Sequence, residues 1–211
     1  GRKALTNRTK LVNQIVQAVN KYNFDGVNVD LENLTENDRN SYVELIKLLR
    51  KNLPNDKVIA VAVAPNPYGW GSGWQGSYDY KELAKYSDYI MLMAYDEHYE
   101  GGSCGPVASL EFVEKSIQYA LKYVPNDKLV LGIPFYGRYW RKGNDYGGYG
   151  VTKTKIENII NKKQEELRMK QDLNKYNNEI KNVYDFLYSS LVNLTAYKSR
   201  ETGGHLLRTK E

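Results

Sequence analysis

A single cysteine, Cys104, stands among 211 residues, and one thiol cannot close an intrachain disulfide. Cross-linking therefore does not hold this chain together, and Cys104 has no spacing partner for a zinc site. No apolar run approaches the roughly 20 residues that a spanning helix needs. The chain opens Gly1-Arg2-Lys3, with neither an initiator methionine nor an apolar signal segment, which leads us to expect a processed piece or a fragment. A nucleic-acid arm is missing too. The most basic stretch, 153–181, is broken by Glu157, Glu165, Glu166, Asp172 and Glu179 and reads as a solvated helix face, so no nucleic-acid partner is expected. With 41% apolar, 26% charged and 12% aromatic residues, the composition fits neither a disordered tail nor a membrane protein.

What is there is unevenly charged. The net charge of +5 divides into 18 basic and 17 acidic residues over 1–152 but 12 and 8 over 153–211. The first part carries alternating strand and helix signals. Leu11, Ile15, Ala18, Val19 and Tyr22 predict an amphipathic helix over 8–22, and Tyr42, Leu45, Ile46 and Leu49 predict another that ends at Asn52 behind an Asp38 cap. A third is expected over 110–124. Residues 26–32 alternate with period two, so Asn28, Asp30 and Glu32 share the polar face of a strand. Runs at 58–64, 89–94 and 129–135 read as buried strands.

Strand starts near 26, 58, 89 and 128 leave room for a helical crossover in each interval, which implies parallel βα units. The Gly-rich phosphate loop of a doubly wound sheet is absent after the first strand. Polar groups gather instead at the strand ends: Asp30 and Glu32, Asn66, Tyr95 and Asp96, then Tyr136 and Arg138. That is where a (β/α)8 barrel keeps its active site. We therefore expect an α/β fold, a partial TIM barrel of about four central units over 1–152, followed by a helical segment over 153–211. A complete barrel takes about 250 residues, so half is expected to be missing. In the tail, Leu173, Tyr176, Ile180, Val183, Leu187 and Leu194 keep a three-four spacing that fits either coiled-coil self-association through 173–194 or a plain amphipathic helix.

Asp30 and Glu32 project from one strand face about 6–7 Å apart. Two buried acids so close disfavour double ionisation, and one keeps its proton toward neutrality, as a general acid must. Trp70 and Trp74, in the Gly-rich loop 68–78, and Tyr136 near the last strand end suit either sugar stacking or loop packing.

Asp25-Gly26-Val27-Asn28-Val29-Asp30-Leu31-Glu32 resembles the D-G-x-D-x-D-x-E strand of family-18 glycoside hydrolases, the chitinase-like enzymes. Met93-Ala94-Tyr95-Asp96 resembles that family's M-x-Y-D strand, and residues 132–138 its G-I-P-F-Y-G-R strand. Tyr95-Asp96-Glu97-His98 followed by residues 105–109 is most similar to the branch of spore-cortex glycosidases that cleave N-acetylglucosaminyl bonds in peptidoglycan. The resemblance implies substrate-assisted retaining hydrolysis without metal or organic cofactor, a peptidoglycan or chitin substrate, and a parent protein that is extracellular, wall-bound or spore-associated. It implies Glu32 as acid, Asp30 and Tyr95 on the substrate's acetamido group, and Asp96 on the sugar. Asn28 stands where the chitinase pattern has Asp, so no proton can be relayed to it. A non-catalytic chitin- or peptidoglycan-binding protein is the competing reading. Lys198–Arg208 resembles the opening helix of HD-GYP cyclic-dinucleotide phosphodiesterases, with His205 at a metal-ligand position. That opens a third reading, a signalling fragment made by fusion or truncation, but one ligand cannot build a two-metal site.

Overall fold

A computed structural model describes residues 1–144 and 146–208, with side chains through Ser189. Two compact units emerge, 1–152 and 153–211. In the first, two N-terminal helices, α1 (Arg2–Thr6) and α2 (Arg8–Tyr22), lead to β1 (Gly26–Val29). Then come α3 (Arg39–Asn52), β2 (Val58–Val63), a single turn α4 (Gly73–Gly76), α5 (Tyr80–Tyr86) and β3 (Tyr89–Leu92). Helix α6 (Leu110–Ala120), β4 (Leu129–Leu131) and a hairpin of β5 (Gly137–Tyr139) with β6 (Tyr149–Val151) complete it. Helix α7 (Lys153–Arg208) is the second unit.

Strands β1 to β4 form one sheet in the order β1-β2-β3-β4, every pair parallel. This is half of a (β/α)8 barrel followed by a helix, as expected. Helices α5 and α6 start where their sequences provide caps. Asp79 accepts from the Glu82 amide at the head of α5 and Ser109 from the Phe112 amide at the head of α6, whereas Asp38, at the N-cap of α3, makes no side-chain bond to that helix and turns back to Thr35 in a reciprocal capping box around the preceding 3-10 turn. Asn23 ends α2 in the left-handed region, with φ 51°.

The core lies between sheet and helices. Leu45, Ile46 and Leu49 of α3 and Val12 and Val19 of α2 are buried with Ile59, Val61, Ile90 and Leu92 of the strands. Gly26 is required at the start of β1, because a Cβ there would lie 2.0 Å from the Val58 carbonyl oxygen.

The strands are shorter than the sequence predicts. Strand β4 stops at Leu131 rather than Phe135, and β1 at Val29 rather than Glu32. The inner strands stop early too, β2 at Val63 rather than Ala64 and β3 at Leu92 rather than Ala94, as the chain leaves the ladder for the loops, in which Asn33 and Asp96 take positive φ. The predicted helix over 110–124 ends as α-helix at Ala120 and finishes in turns. Helices α1 and α5 and the β5–β6 hairpin are too short to show a periodicity. Among the described residues no helix is long and apolar enough to cross a membrane.

Candidate active site

The site is assembled at the C-terminal ends of the parallel strands. Asn28, Asp30 and Glu32 are all exposed there, although the sequence suggests that the two acids are buried, because β1 has a strand neighbour on one side only among the described residues. Glu32 nevertheless holds its proton above the ordinary carboxylate range. Partial burial is the largest cause, the Asp30 charge the second and Asp96 the third. The sequence reading put the weight on the closeness of the two acids; partial burial comes before it here.

Tyr95 follows β3 and shares this field. Burial, then the charges of Asp30, Glu32 and Asp96, keep its phenol protonated and able to donate. Its ring fits because position 132 is glycine: a Cβ there would stand 3.0 Å from Tyr95 Cε1. Tyr136 packs edge-on to it, ring centroids 6.4 Å apart. The Tyr136 phenol is pushed up to about 12 by burial and by its hydrogen bond to Asp96.

Asp96 is the hub. Arg138 donates to its Oδ1 from Nε at 3.0 Å and from Nη2 at 2.8 Å, and the guanidinium lies 5.5 Å from the Tyr136 ring centroid. Asp96 adopts φ 56°, a left-handed conformation that Asp tolerates better than most residues. The backbone reverses there, so Asp96 comes to face Arg138 of the β5–β6 hairpin. Within that hairpin Arg138 Nη1 donates to Gly148 O, and the hairpin is anchored to the loop after β3 by Trp140 Nε1 donating to Gly102 O and by the Gly101 amide donating to Gly147 O. The next residue in that loop, Glu97, takes both the Ser109 amide and hydroxyl, at 2.7 and 3.1 Å, and thereby ties the loop's two ends. His98 is a loop brace, its Nδ1 3.0 Å from the Ser103 carbonyl.

The two tryptophans occupy different settings. Trp70 is 46% exposed, tilted against Tyr68 at 5.0 Å between centroids, and its backbone is gripped in two bonds by the buried Asn66 amide. Trp74 is partly buried against the core, and its Nε1 donates to Tyr78 Oη at 2.9 Å. Sequence reasoning missed Tyr78. Its hydroxyl donates to Leu31 O at 3.0 Å, between the two candidate carboxylates, while Tyr42 reaches Val29 O at 3.4 Å. The two tyrosines brace β1 where the ladder stops. No sequence pattern marks them, since tyrosine in a loop or a helix stripe looks like packing.

The class is thus a partial barrel with an acid-and-phenol cluster at its strand ends. Residues 2–202 match the family described as "Glycosyl hydrolases family 18", and the chain belongs to it. It is 31% identical over 135 residues to the putative sporulation-specific glycosylase YdhD of Bacillus subtilis, covering 64% of this chain and 32% of that one. Against the cortical fragment-lytic enzyme of Bacillus subtilis, identity is 31% over 145 residues, covering 68% and 34%. The crystal structure of YdhD superposes with TM-score 0.67 at 28% identity over 73% of this chain and 53% of that chain. A chitinase from Chromobacterium violaceum superposes with TM-score 0.68 at 27% identity, over 75% and 50%. The chain spans about a third of the length of these two curated relatives.

The HD-GYP-like run 198–208 falls within the backbone of α7. Its side chains, including His205, lie outside the described residues.

Proposed function

We propose that the domain to which this chain belongs hydrolyses β-1,4 bonds beside N-acetylglucosamine in peptidoglycan of the spore-cortex type, by a retaining, substrate-assisted route. Glu32 gives its proton to the leaving glycosidic oxygen. The substrate's own acetamido oxygen attacks the anomeric carbon, closing a cyclic oxazolinium. Asp30 faces the acetamido nitrogen and balances its positive charge, while Tyr95 donates to the acetamido oxygen. Water then opens the ring from the face that the leaving group vacated, and Glu32, now a carboxylate, takes the water's proton. Asn28 offers the strand end a neutral amide; Asp96, fixed by Arg138 and Tyr136, binds the sugar and raises Glu32. Trp70 and Trp74 belong to the sugar-binding loop, Trp70 by stacking and Trp74 through Tyr78. No metal or organic cofactor takes part in these steps.

The observation that supports this reading best is the convergence of Asp30, Glu32 and Asp96 on Tyr95, at the strand ends of a family-18 chain. The names of the relatives point to cortex, and the chitinase likeness makes chitin the second substrate. The chemistry belongs to 1–152, and helix α7 takes no part in it.

The test is product release from cortex fragments and from an N-acetylglucosaminyl reporter. Glu32→Gln is expected to lower turnover by about 10²–10⁴-fold, the usual contribution of a general acid. Cortex binding without product, unchanged by Glu32→Gln, would instead establish the binding-protein reading.

A further inference from the structure

Helix α7 presents a stripe that its own unit leaves uncovered. It runs 56 residues, about 84 Å at 1.5 Å per residue. Single helices draw most of their stability from packing an apolar face on something else. Yet Met169, Leu173, Tyr176, Ile180, Val183 and Leu187 are all more than half exposed, Ile180 at 66%. Their spacing of four, three, four, three and four places them on one face in a heptad frame, with Leu173, Ile180 and Leu187 at one seam position and Met169, Tyr176 and Val183 at the other.

The flanks of the seam carry a charge code. On one side, at the heptad positions just before Glu166, Leu173 and Ile180, stand Glu165, Asp172 and Glu179, all acidic. On the other side, just after seam positions 162, 169, 176 and 183, stand Lys163, Lys170, Asn177 and Tyr184, two basic residues followed by two neutral ones and no acid. Two such helices running antiparallel would set acid flank against acid flank and lysine against lysine. Running parallel and in register, each acid flank meets the partner's opposite flank: Glu165 lies across from Lys170 of the second copy, Asp172 from Asn177 and Glu179 from Tyr184, one ion pair and no like charges. Lys163 has an alternative partner within its own helix, Glu166 at 2.8 Å, but both are exposed and the pair is weak.

We propose that α7 associates with the α7 of a second copy as a parallel, in-register two-stranded coiled coil whose seam runs from Met169 to Leu187. The inference does not rest on the hydrolase reading, since it uses no residue of that site. A seam of fewer than three heptads makes the association reversible, with a dissociation constant on the order of 1–100 µM.

Sedimentation of the full chain across that range tests the stoichiometry. A concentration-dependent monomer–dimer equilibrium is expected, and Ile180→Asp should raise the dissociation constant by about 100-fold or more. A triple variant, Glu165→Lys, Asp172→Lys and Glu179→Lys, leaves the seam intact and keeps only like charges on the flanks. It should weaken the dimer by about tenfold, which separates the proposal from mere misfolding of the first variant. Orientation is read by oxidation in a Cys104→Ser background. Ile180→Cys should cross-link to itself, whereas Met169→Cys mixed with Leu187→Cys should yield no mixed disulfide. A monomer at every concentration, a dimer indifferent to Ile180→Asp, or mixed Met169→Cys–Leu187→Cys disulfides would each overturn it.

Discussion

Leu92 and Leu131 are register partners across β3 and β4, identical in chemistry and side by side in the same sheet. Leu92 is fully buried, and Leu131 is 38% exposed. The contrast continues along each strand: the residues after Leu92 stay covered, while Ile133 and Phe135 beyond β4 stand out, Phe135 at 95%. Apolar character is the same on both strands; the number of neighbours is not. Strand β3 has a strand on each side, whereas β4 has one on only one side among the described residues. The hydrophobic effect rewards area removed from water, so a run of leucines and isoleucines carries no stabilising free energy until something covers it.

That comparison can be broken at several points. Leu92→Ala should be the most damaging, costing about 2–5 kcal/mol for a buried leucine whose site cannot collapse, read as a lowered denaturation midpoint. Tyr78→Phe comes next. It leaves Leu31 O and the Trp74 indole without their partner, worth about 1–3 kcal/mol where those groups stay buried. It should also move the Glu32 titration followed by NMR, which a purely structural loss elsewhere in the core would not do. If Tyr78→Phe leaves Glu32 unmoved, the brace on β1 does not reach the carboxylate.

The site gives a pH test with a definite sign. Glu32 holds its proton above the 4.5 of an unperturbed Glu, so the folded chain keeps a proton that the unfolded chain has released. Its contribution to stability is therefore complete below about 4.5 and fades as pH rises through the raised value. Activity that needs the acid form falls on the same side, as the alkaline limb of the pH–rate profile. Asp96→Asn removes one of the charges that raise Glu32 and frees Arg138 from its partner, and both changes lower the Glu32 value. The alkaline limb should move to lower pH. An unmoved limb would remove Asp96 from the electrostatics of the acid. The smallest effect belongs to the open edge: Leu131→Ala or Phe135→Ser should change stability by less than about 0.5 kcal/mol, and a larger loss would show that the edge is covered in solution.

Much of the fold was legible because its elements are strongly periodic. Helix α2 falls on the predicted 8–22, and the four strand starts and their parallel order follow from the intervals between them. The short pieces were not legible: α1, α5 and the β5–β6 hairpin contain too few residues for a period to register. Of the site, Asp30, Glu32, Tyr95, Asp96, Tyr136 and Arg138 were visible as polar residues where strands end, and these are drawn together. Trp74 and Trp70 were indistinguishable in sequence but occupy different environments, one bound to Tyr78 and the other on the surface. Tyr42 and Tyr78 were invisible as functional residues because what matters is the backbone carbonyl each reaches.

The order of side chains along the chain settled which residues alternate, which helices carry an apolar stripe, where caps and reversals fall, and thus membership in a family with a recognisable strand motif. These are local properties, determined within a few residues of each position. Only the tertiary structure decided which of two equal leucines is buried, that the acid pair sits in the open, that partial burial outweighs its anionic neighbour, and that Asp96 turns back to Arg138. Those outcomes depend on what distant segments bring alongside, and desolvation and Coulomb forces respond to that proximity rather than to position in the chain.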